Sequence, residues 1–335
     1  MDADSVERVG PVAHGSEPES EGIDFSANVN PETPEGVAAV YQNALEAARS
    51  YPPRGLPTYR RAAARYVDVD PEAVVPTPGG LAAIRLALST TVDPGDRVLV
   101  PFPSFGEYAR EVRLQGGEPV FVPVAEILDA DLDEVAMAIV CNPNNPTGEA
   151  FDATALRSFV ERSWATDTPV LVDEAFLDFT EEPTLAGAPG TIVARSLTKL
   201  FGLPGLRAGF AVASGELGDR LEAARLTWNL GVPAAETGAH VMRDHEFVER
   251  TRARVDRERA QLRNTLDGRY EIHDSVAPFL LLEVDEPVTP LLERARERGI
   301  ILRDARSFRG LDSHVRVAVR RPSENRRLEE VLLDV

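Results

Sequence analysis

Between about Leu81 and Phe210, short β-rich apolar runs alternate with helical patterns, and this alternation constrains the fold most. The runs cover residues 98–101, 120–122, 138–141, 170–173, 192–195 and 208–213. The intervening stretches 81–90 and 153–164 place apolar residues three and four apart, the helical spacing. Strands separated by helices long enough to cross over give an α/β domain with a mainly parallel sheet. Ligands of such sheets sit beyond the carboxyl ends of the strands. Residues 142–148 follow one run, Asp173 ends another, and residues 196–199 follow a third. Three polar clusters are therefore expected to meet at one sheet edge.

The rest of the chain suggests a second, smaller unit. Residues 279–284, 291–298, 300–303, 315–319 and 324–333 pattern as strand, helix, strand, strand and helix, an α+β arrangement. The Arg/Glu-rich stretch 216–267 patterns as long helix with a solvated face. The expected division is an arm and cleft segment (1–44) packing with the small domain, a large domain (45–230) and a small C-terminal domain (231–335). Residues 25–31 are expected to join the small unit or the cleft, and residues 1–22 to form a mobile or loosely docked arm.

Charge narrows the partners. The 36 basic residues face 55 acidic ones, a net charge of −19, which repels nucleic acid and anionic membrane and suits high salt. No run approaches the roughly 18 apolar residues of a membrane span. The first 25 residues lack the apolar centre of a secretory signal, so the cytoplasm is the expected compartment. The single cysteine, Cys141, excludes an intramolecular disulfide. His14, His240, His245, His273 and His314 fit no metal-binding spacing, so no metal and no role are assigned to them.

Within the basic set, 35 residues are Arg and one is Lys, at position 199. A guanidinium stays protonated and cannot form an imine, whereas a lysine amine can lose its proton and attack a carbonyl. The residues around Lys199 carry a longer pattern. Ser196-Leu197-Thr198-Lys199 is followed by Leu203-Pro204-Gly205-Leu206-Arg207-Ala208-Gly209. Upstream lie Thr77-Pro78-Gly79-Gly80-Leu81 before a helix, Pro103-Ser104-Phe105, Asn142-Pro143-Asn144-Asn145-Pro146-Thr147-Gly148 and Asp173-Glu174-Ala175-Phe176.

This set resembles the fold-type I pyridoxal-phosphate (PLP) enzymes, related to the class I/II aminotransferases, over nearly the whole chain. The resemblance implies that Lys199 forms an imine with pyridoxal 5'-phosphate. It implies that Arg207, Ser196 and the amides of Gly80 and Leu81 hold the cofactor phosphate. Asp173 would face the pyridine nitrogen, Asn145 would donate to the ring oxygen, and Phe105 would stack on the ring. Tyr51 matches a tyrosine that reaches the phosphate of a neighbouring subunit, which implies a homodimer. Arg316 matches the arginine that grips the substrate carboxylate; Arg303 lies in the same unit, and Asn28 and Asn30 match a cleft segment near the substrate. Phe176 stands where many members carry a tyrosine whose hydroxyl reaches the cofactor.

Two branches of the family compete: histidinol-phosphate aminotransferases and the threonine-phosphate decarboxylases of cobalamin biosynthesis. Phe25-Ser26-Ala27-Asn28-Val29-Asn30-Pro31, Phe176 and the string from Arg303 to Arg320 look more like the second. Pro78-Gly79-Gly80-Leu81 departs from its usual Asn-Gly-Glu-Thr. The expected reaction is decarboxylation of L-threonine O-3-phosphate, a small phosphorylated amino acid. Transamination of histidinol phosphate or another amino acid is the alternative, and a non-catalytic PLP-fold binding or regulatory protein is the reading from another class.

Overall fold

The computed structural model describes residues 1–16 and 21–333. Its larger sheet has seven strands in the order Val74–Thr77, Gly209–Val212, Thr191–Ser196, Val170–Asp173, Met137–Cys141, Arg97–Phe102 and Glu118–Pro123. Gly209–Val212 runs antiparallel to both neighbours, and the remaining pairs are parallel. The three central strands, 137–141, 170–173 and 191–196, are buried at every position. That burial on both faces explains their unbroken apolar runs. Alternate residues serve opposite cores. Ile139, Leu171 and Ile192 face Ile84, Leu88 and Val112, while Val140, Val172 and Val193 share a core with Leu156 and Phe159. The α/β class expected from the alternation is the class observed.

The smaller sheet has four antiparallel strands, ordered Arg303–Asp304, His314–Ala318, Phe279–Glu283 and Glu271–Ile272. Ile23–Asp24 pairs in parallel with Ile300–Ile301, and Phe25 C=O accepts from Ala318 N–H at 2.9 Å. The segment after Asp24 is thereby stitched to the small sheet and carried into the cleft.

Two expectations change. The run expected at 300–303 divides between two sheets, with Leu302 between the pieces. The stretch 216–267 is three helices, Gly215–Ala224, Val232–Val241 and His245–Leu266. Pro233 sits in the first turn of the second helix, and the Asp244 side chain caps the third through Phe247 N–H at 3.0 Å. These punctuate a charge pattern that runs across the breaks. The described part of the arm is also docked. Asp2 N–H donates to Leu114 C=O at 2.9 Å, and Arg110 Nε donates to Gly10 C=O at 3.0 Å, fastening it to helix Glu107–Leu114. Residues 17–20 of the expected arm lie outside the described residues. Among the described residues no helix is long and apolar enough to cross a membrane.

Candidate active site

Five chain segments leave the large sheet at its carboxyl edge and enclose a cavity of about 410 Å³. Its wall includes Gly80 and Leu81, Phe105, Asn145, Asp173 and Phe176, Ser196 and Lys199, and Arg207. The small sheet closes the far side with Arg303, Ser307, Phe308 and Arg316. Asn28 and the arm residues Ala13 and His14 complete it.

Lys199 lies just past the end of strand Thr191–Ser196 and reaches the cavity with its Nζ 6.0 Å from the centre of the Phe176 ring. Burial pulls the amine down to about 8; Arg316 and Arg207 push the same way and Asp173 opposes them. About a tenth of an amine at that value is neutral and nucleophilic at pH 7, some hundreds of times the share of an ordinary lysine.

Asp173 ends the neighbouring strand, with Oδ1 accepting from Ala175 N–H at 3.0 Å and Oδ2 from the Tyr108 hydroxyl at 2.6 Å. Burial raises its carboxyl, and these two donors work against that rise. The adjacent residues are held by a buried ion triad. Arg195 pairs with Glu174 at 2.7 Å and with Asp178, tying the end of the Asp173 strand to that of the Ser196 strand. Removing one partner of such a triad strands a buried charge, typically at a cost of about 3–5 kcal/mol.

Opposite, helix Gly80–Thr91 opens onto the cavity. Gly79 precedes it at φ +92°, and a Cβ there would stand 2.6 Å from the Arg207 guanidinium. Arg207 Nη2 donates to Pro78 C=O at 3.4 Å, which holds the guanidinium over the turn. Ser196 Oγ lies 2.8 Å from Thr198 Oγ1 on the same side. Free helix-terminal amides, a guanidinium and a hydroxyl make an anion cradle.

On the small-sheet side, Arg316 is buried among aromatic rings, 5.1 Å from Phe279 and 5.6 Å from Phe308. It donates to Asn145 Oδ1 and, at 3.0 Å, to Ser26 C=O. Burial, then the neighbouring Arg303, pull it down to about 9. Arg303 donates to Ala13 C=O at 2.8 Å and to Ser307 Oγ at 2.7 Å.

Most of the expected site residues therefore converge, and two do not. Asn30 is buried outside the cavity wall. Its amide is consumed by Leu200 C=O at 2.7 Å and Arg254 at 2.6 Å, so it has no group left for a substrate. Tyr51 is 75% exposed and stacks on Trp228 with ring centres 4.2 Å apart, away from this chain's own cavity. The structure adds residues the sequence left silent. Tyr108 follows Phe105 by three positions, a spacing that would have put both near one end of a helix. His14 bonds Glu107 at 2.8 Å and sits 5.7 Å from the Phe105 ring, a contact across 93 positions with no local signal.

The residues fit a phosphorylated pyridine aldehyde. The cradle would take the phosphate, Lys199 the aldehyde, Asp173 a protonated ring nitrogen and Phe105 a flat ring. Asn28 Oδ1 and Arg316 Nε, both in cavity-wall residues, are buried without a hydrogen-bond partner among the described residues, as groups awaiting a ligand are. Fold and site together define a PLP enzyme. More narrowly, residues 20–332 match the model of the "Aminotransferase class I and II" family, and the chain belongs to that family.

Among similar proteins, histidinol-phosphate aminotransferase 1 of Archaeoglobus fulgidus is 32% identical over 93% of this chain and 99% of its own. A protein of Caldanaerobacter subterraneus subsp. tengcongensis, named provisionally as a threonine-phosphate decarboxylase, is 33% identical over 82% of this chain and 80% of its own. The crystal structure of L-threonine-O-3-phosphate decarboxylase from Porphyromonas gingivalis superposes with a TM-score of 0.85 at 27% identity. It covers 92% of this chain and 98% of that one.

Proposed function

We propose that the protein decarboxylates L-threonine O-3-phosphate, giving (R)-1-aminopropan-2-yl phosphate and CO₂, a step of cobalamin biosynthesis. The observation that carries the reading is the pair of guanidiniums on the small-sheet wall. Arg316 and Arg303 flank Phe308 at 5.6 and 5.4 Å, and no carboxylate among the described residues pairs with either. Asp304 acts on Arg303 only at a distance, and two such guanidiniums in one cavity suit a ligand with two anionic ends. Threonine phosphate has a carboxylate and a phosphate; histidinol phosphate has only the phosphate. Arg316, locked by Asn145 and Ser26, grips the carboxylate. Arg303 and Ser307 take the phosphate, with His14 on the same wall. Phe176 and the likeness to the two decarboxylases named above support the same reading.

When bound, PLP supplies an electron sink for the pair left by a bond broken at the amino acid's Cα. Arg316 would hold the carboxylate end and so decide which bond at Cα breaks, the one to the carboxylate, with loss of CO₂. Asp173 keeps a negative charge opposite the sink. Lys199, carrying the proton brought in by the substrate's ammonium group, would hold the proton that returns to Cα.

Transamination remains the second reading. Glutamate, an amino donor with two carboxylates, also suits the Arg pair, and the Archaeoglobus relative is named an aminotransferase. Product analysis separates the two. The cofactor-loaded protein should release CO₂ from threonine phosphate without any oxo acid. Release of no CO₂, together with glutamate formation from histidinol phosphate and 2-oxoglutarate, would overturn the proposal.

The partner we propose is a second copy of the chain. Tyr51 and Trp228 border one surface groove, Tyr41 borders the next, and Gly231 and Pro233 line both. The three aromatic side chains are 75%, 57% and 44% exposed, a contiguous apolar patch of the kind that marks an interface. By the family resemblance, Tyr51 of one copy would reach the cofactor phosphate of the other. Sedimentation should show a dimer at micromolar concentration, and Trp228→Glu should shift it to monomer with weaker cofactor retention. A wild-type monomer that retains cofactor would sink the assignment.

A further inference from the structure

Asn30, buried just behind the cavity wall, occupies a more specific place. Its backbone N–H donates to Lys199 C=O at 3.0 Å, and its side-chain Nδ2 to Leu200 C=O at 2.7 Å. Two consecutive carbonyls of the turn that carries the amine are thus held by one residue. The chain is tight there. Gly202 has φ +65°, and a Cβ on it would lie 2.7 Å from Asn30 C=O and 2.4 Å from Glu32 C=O. The turn cannot be moved without moving the 30–32 segment.

The other end of the Asn30 amide points away from the turn. Oδ1 accepts from Arg254 Nη2 at 2.6 Å and from Glu32 N–H at 3.1 Å. Arg254 projects from helix His245–Leu266 and is mostly buried, and its Nη1 donates to Arg320 C=O at 3.0 Å. Arg320 follows the His314–Ala318 strand that carries Arg316. One line of hydrogen bonds therefore runs from the Lys199 backbone through Asn30 and Arg254 to the chain just beyond Arg316. Only a side chain that both donates and accepts can sit in the middle. Asn does so at this length, a carboxylate could not donate to Leu200 C=O, and Ala could do neither.

We propose that the Asn30–Arg254 pair is a brace that sets the position of Lys199 relative to Arg316. This rests on Lys199 and Arg316 being the amine and the carboxylate grip of the reading above. The brace matters because reaction choice depends on which Cα bond faces the sink, and displacements of about 1 Å in such sites cost on the order of 100-fold. Asn30 and Arg254 are positioning residues, since neither lines the cavity.

The chain's single lysine makes the test clean. Cofactor-free protein is treated with an amine-acylating reagent across pH, and modification at Lys199 is followed by peptide mapping, which separates it from the N-terminal amine. Wild type should show a midpoint near 8. Asn30→Ala and Arg254→Met should each loosen the turn, admit water to the amine and raise that midpoint by about one unit. In the loaded enzyme the same variants should transaminate a larger fraction of turnovers than wild type. A lowered melting temperature with an unmoved midpoint in both variants would reduce the pair to a structural role and overturn the brace. Should Asn30→Ala fail to fold, Asn30→Ser and Arg254→Met carry the same measurement. Acylation uses no substrate, so a wrong substrate assignment leaves this result intact, and an unmoved midpoint leaves the substrate assignment intact.

Discussion

Lys199→Ala should abolish turnover, with kcat falling by at least about 10⁴-fold, because one substitution removes both the covalent attachment and the proton carrier. No other lysine exists to substitute for it. The fold should survive. The amine is desolvated and faces Arg316 and Arg207, so the wild-type apoprotein loses rather than gains by holding a charge there. Its folded value, about 8, lies below the ordinary 10.5. Folding therefore disfavours the charged amine: stability is lost as pH falls from about 10.5 to about 8 and stays constant below that, a loss the Ala variant does not suffer. Melting temperatures of the two apoproteins should converge at high pH, with the variant equal or higher at pH 7. Borohydride reduction of the loaded wild type should fix cofactor at position 199 alone. Lys199→Arg should behave like Ala, since a guanidinium keeps its proton. Turnover of Lys199→Ala within tenfold of wild type, or an adduct mapped elsewhere, would remove the covalent reading.

Lys199 is legible in the sequence because its chemistry is local. Ser196, Lys199 and Arg207 lie within twelve positions, and a strand-to-turn run brings them together without help from the rest of the chain. Asp173 and Asn145 are legible for a related reason, since parallel strands put their carboxyl ends on one edge and each of these residues lies at or just past such an end. Asn30 fails for the opposite reason. Its partners are 170 and 224 positions away, so nothing near it distinguishes a cavity residue from one buried just behind the wall. His14 and Tyr108 meet the site through the docking of the arm and of helix Glu107–Leu114, which depends on tertiary packing. The helix expected over 216–267 breaks because charge periodicity reports a solvated face and is blind to the Gly231–Pro233 corner.

Asp173→Asn should separate cofactor chemistry from folding more sharply than any other substitution. The Asn side chain has the same shape, can still accept from Ala175 N–H, and can donate to a rotated Tyr108 hydroxyl. What it lacks is the charge. In the apoprotein that charge is a liability, because burial raises the Asp173 carboxyl above its ordinary value despite the two donors. A group raised on folding contributes stability while protonated and loses it as pH rises through its folded value. At neutral pH the Asn apoprotein should therefore melt no lower than wild type. With cofactor the order should reverse. The ionised carboxylate gains a cationic ring nitrogen as partner, and a charge-assisted bond of this kind contributes roughly 1.5–3 kcal/mol. Losing it should weaken cofactor binding by about 10- to 100-fold and shrink the cofactor-induced rise in melting temperature. It should also lower kcat by on the order of 10²–10³, as for other preorganised charges aimed at a developing one. Tyr108→Phe should give a milder form with a pH signature. Without the hydroxyl the carboxyl rises further, so cofactor retention should fail at a higher pH than in wild type as the solution is acidified. An Asn variant that binds cofactor as tightly as wild type and turns over within threefold of it would place the ring nitrogen somewhere other than opposite Asp173.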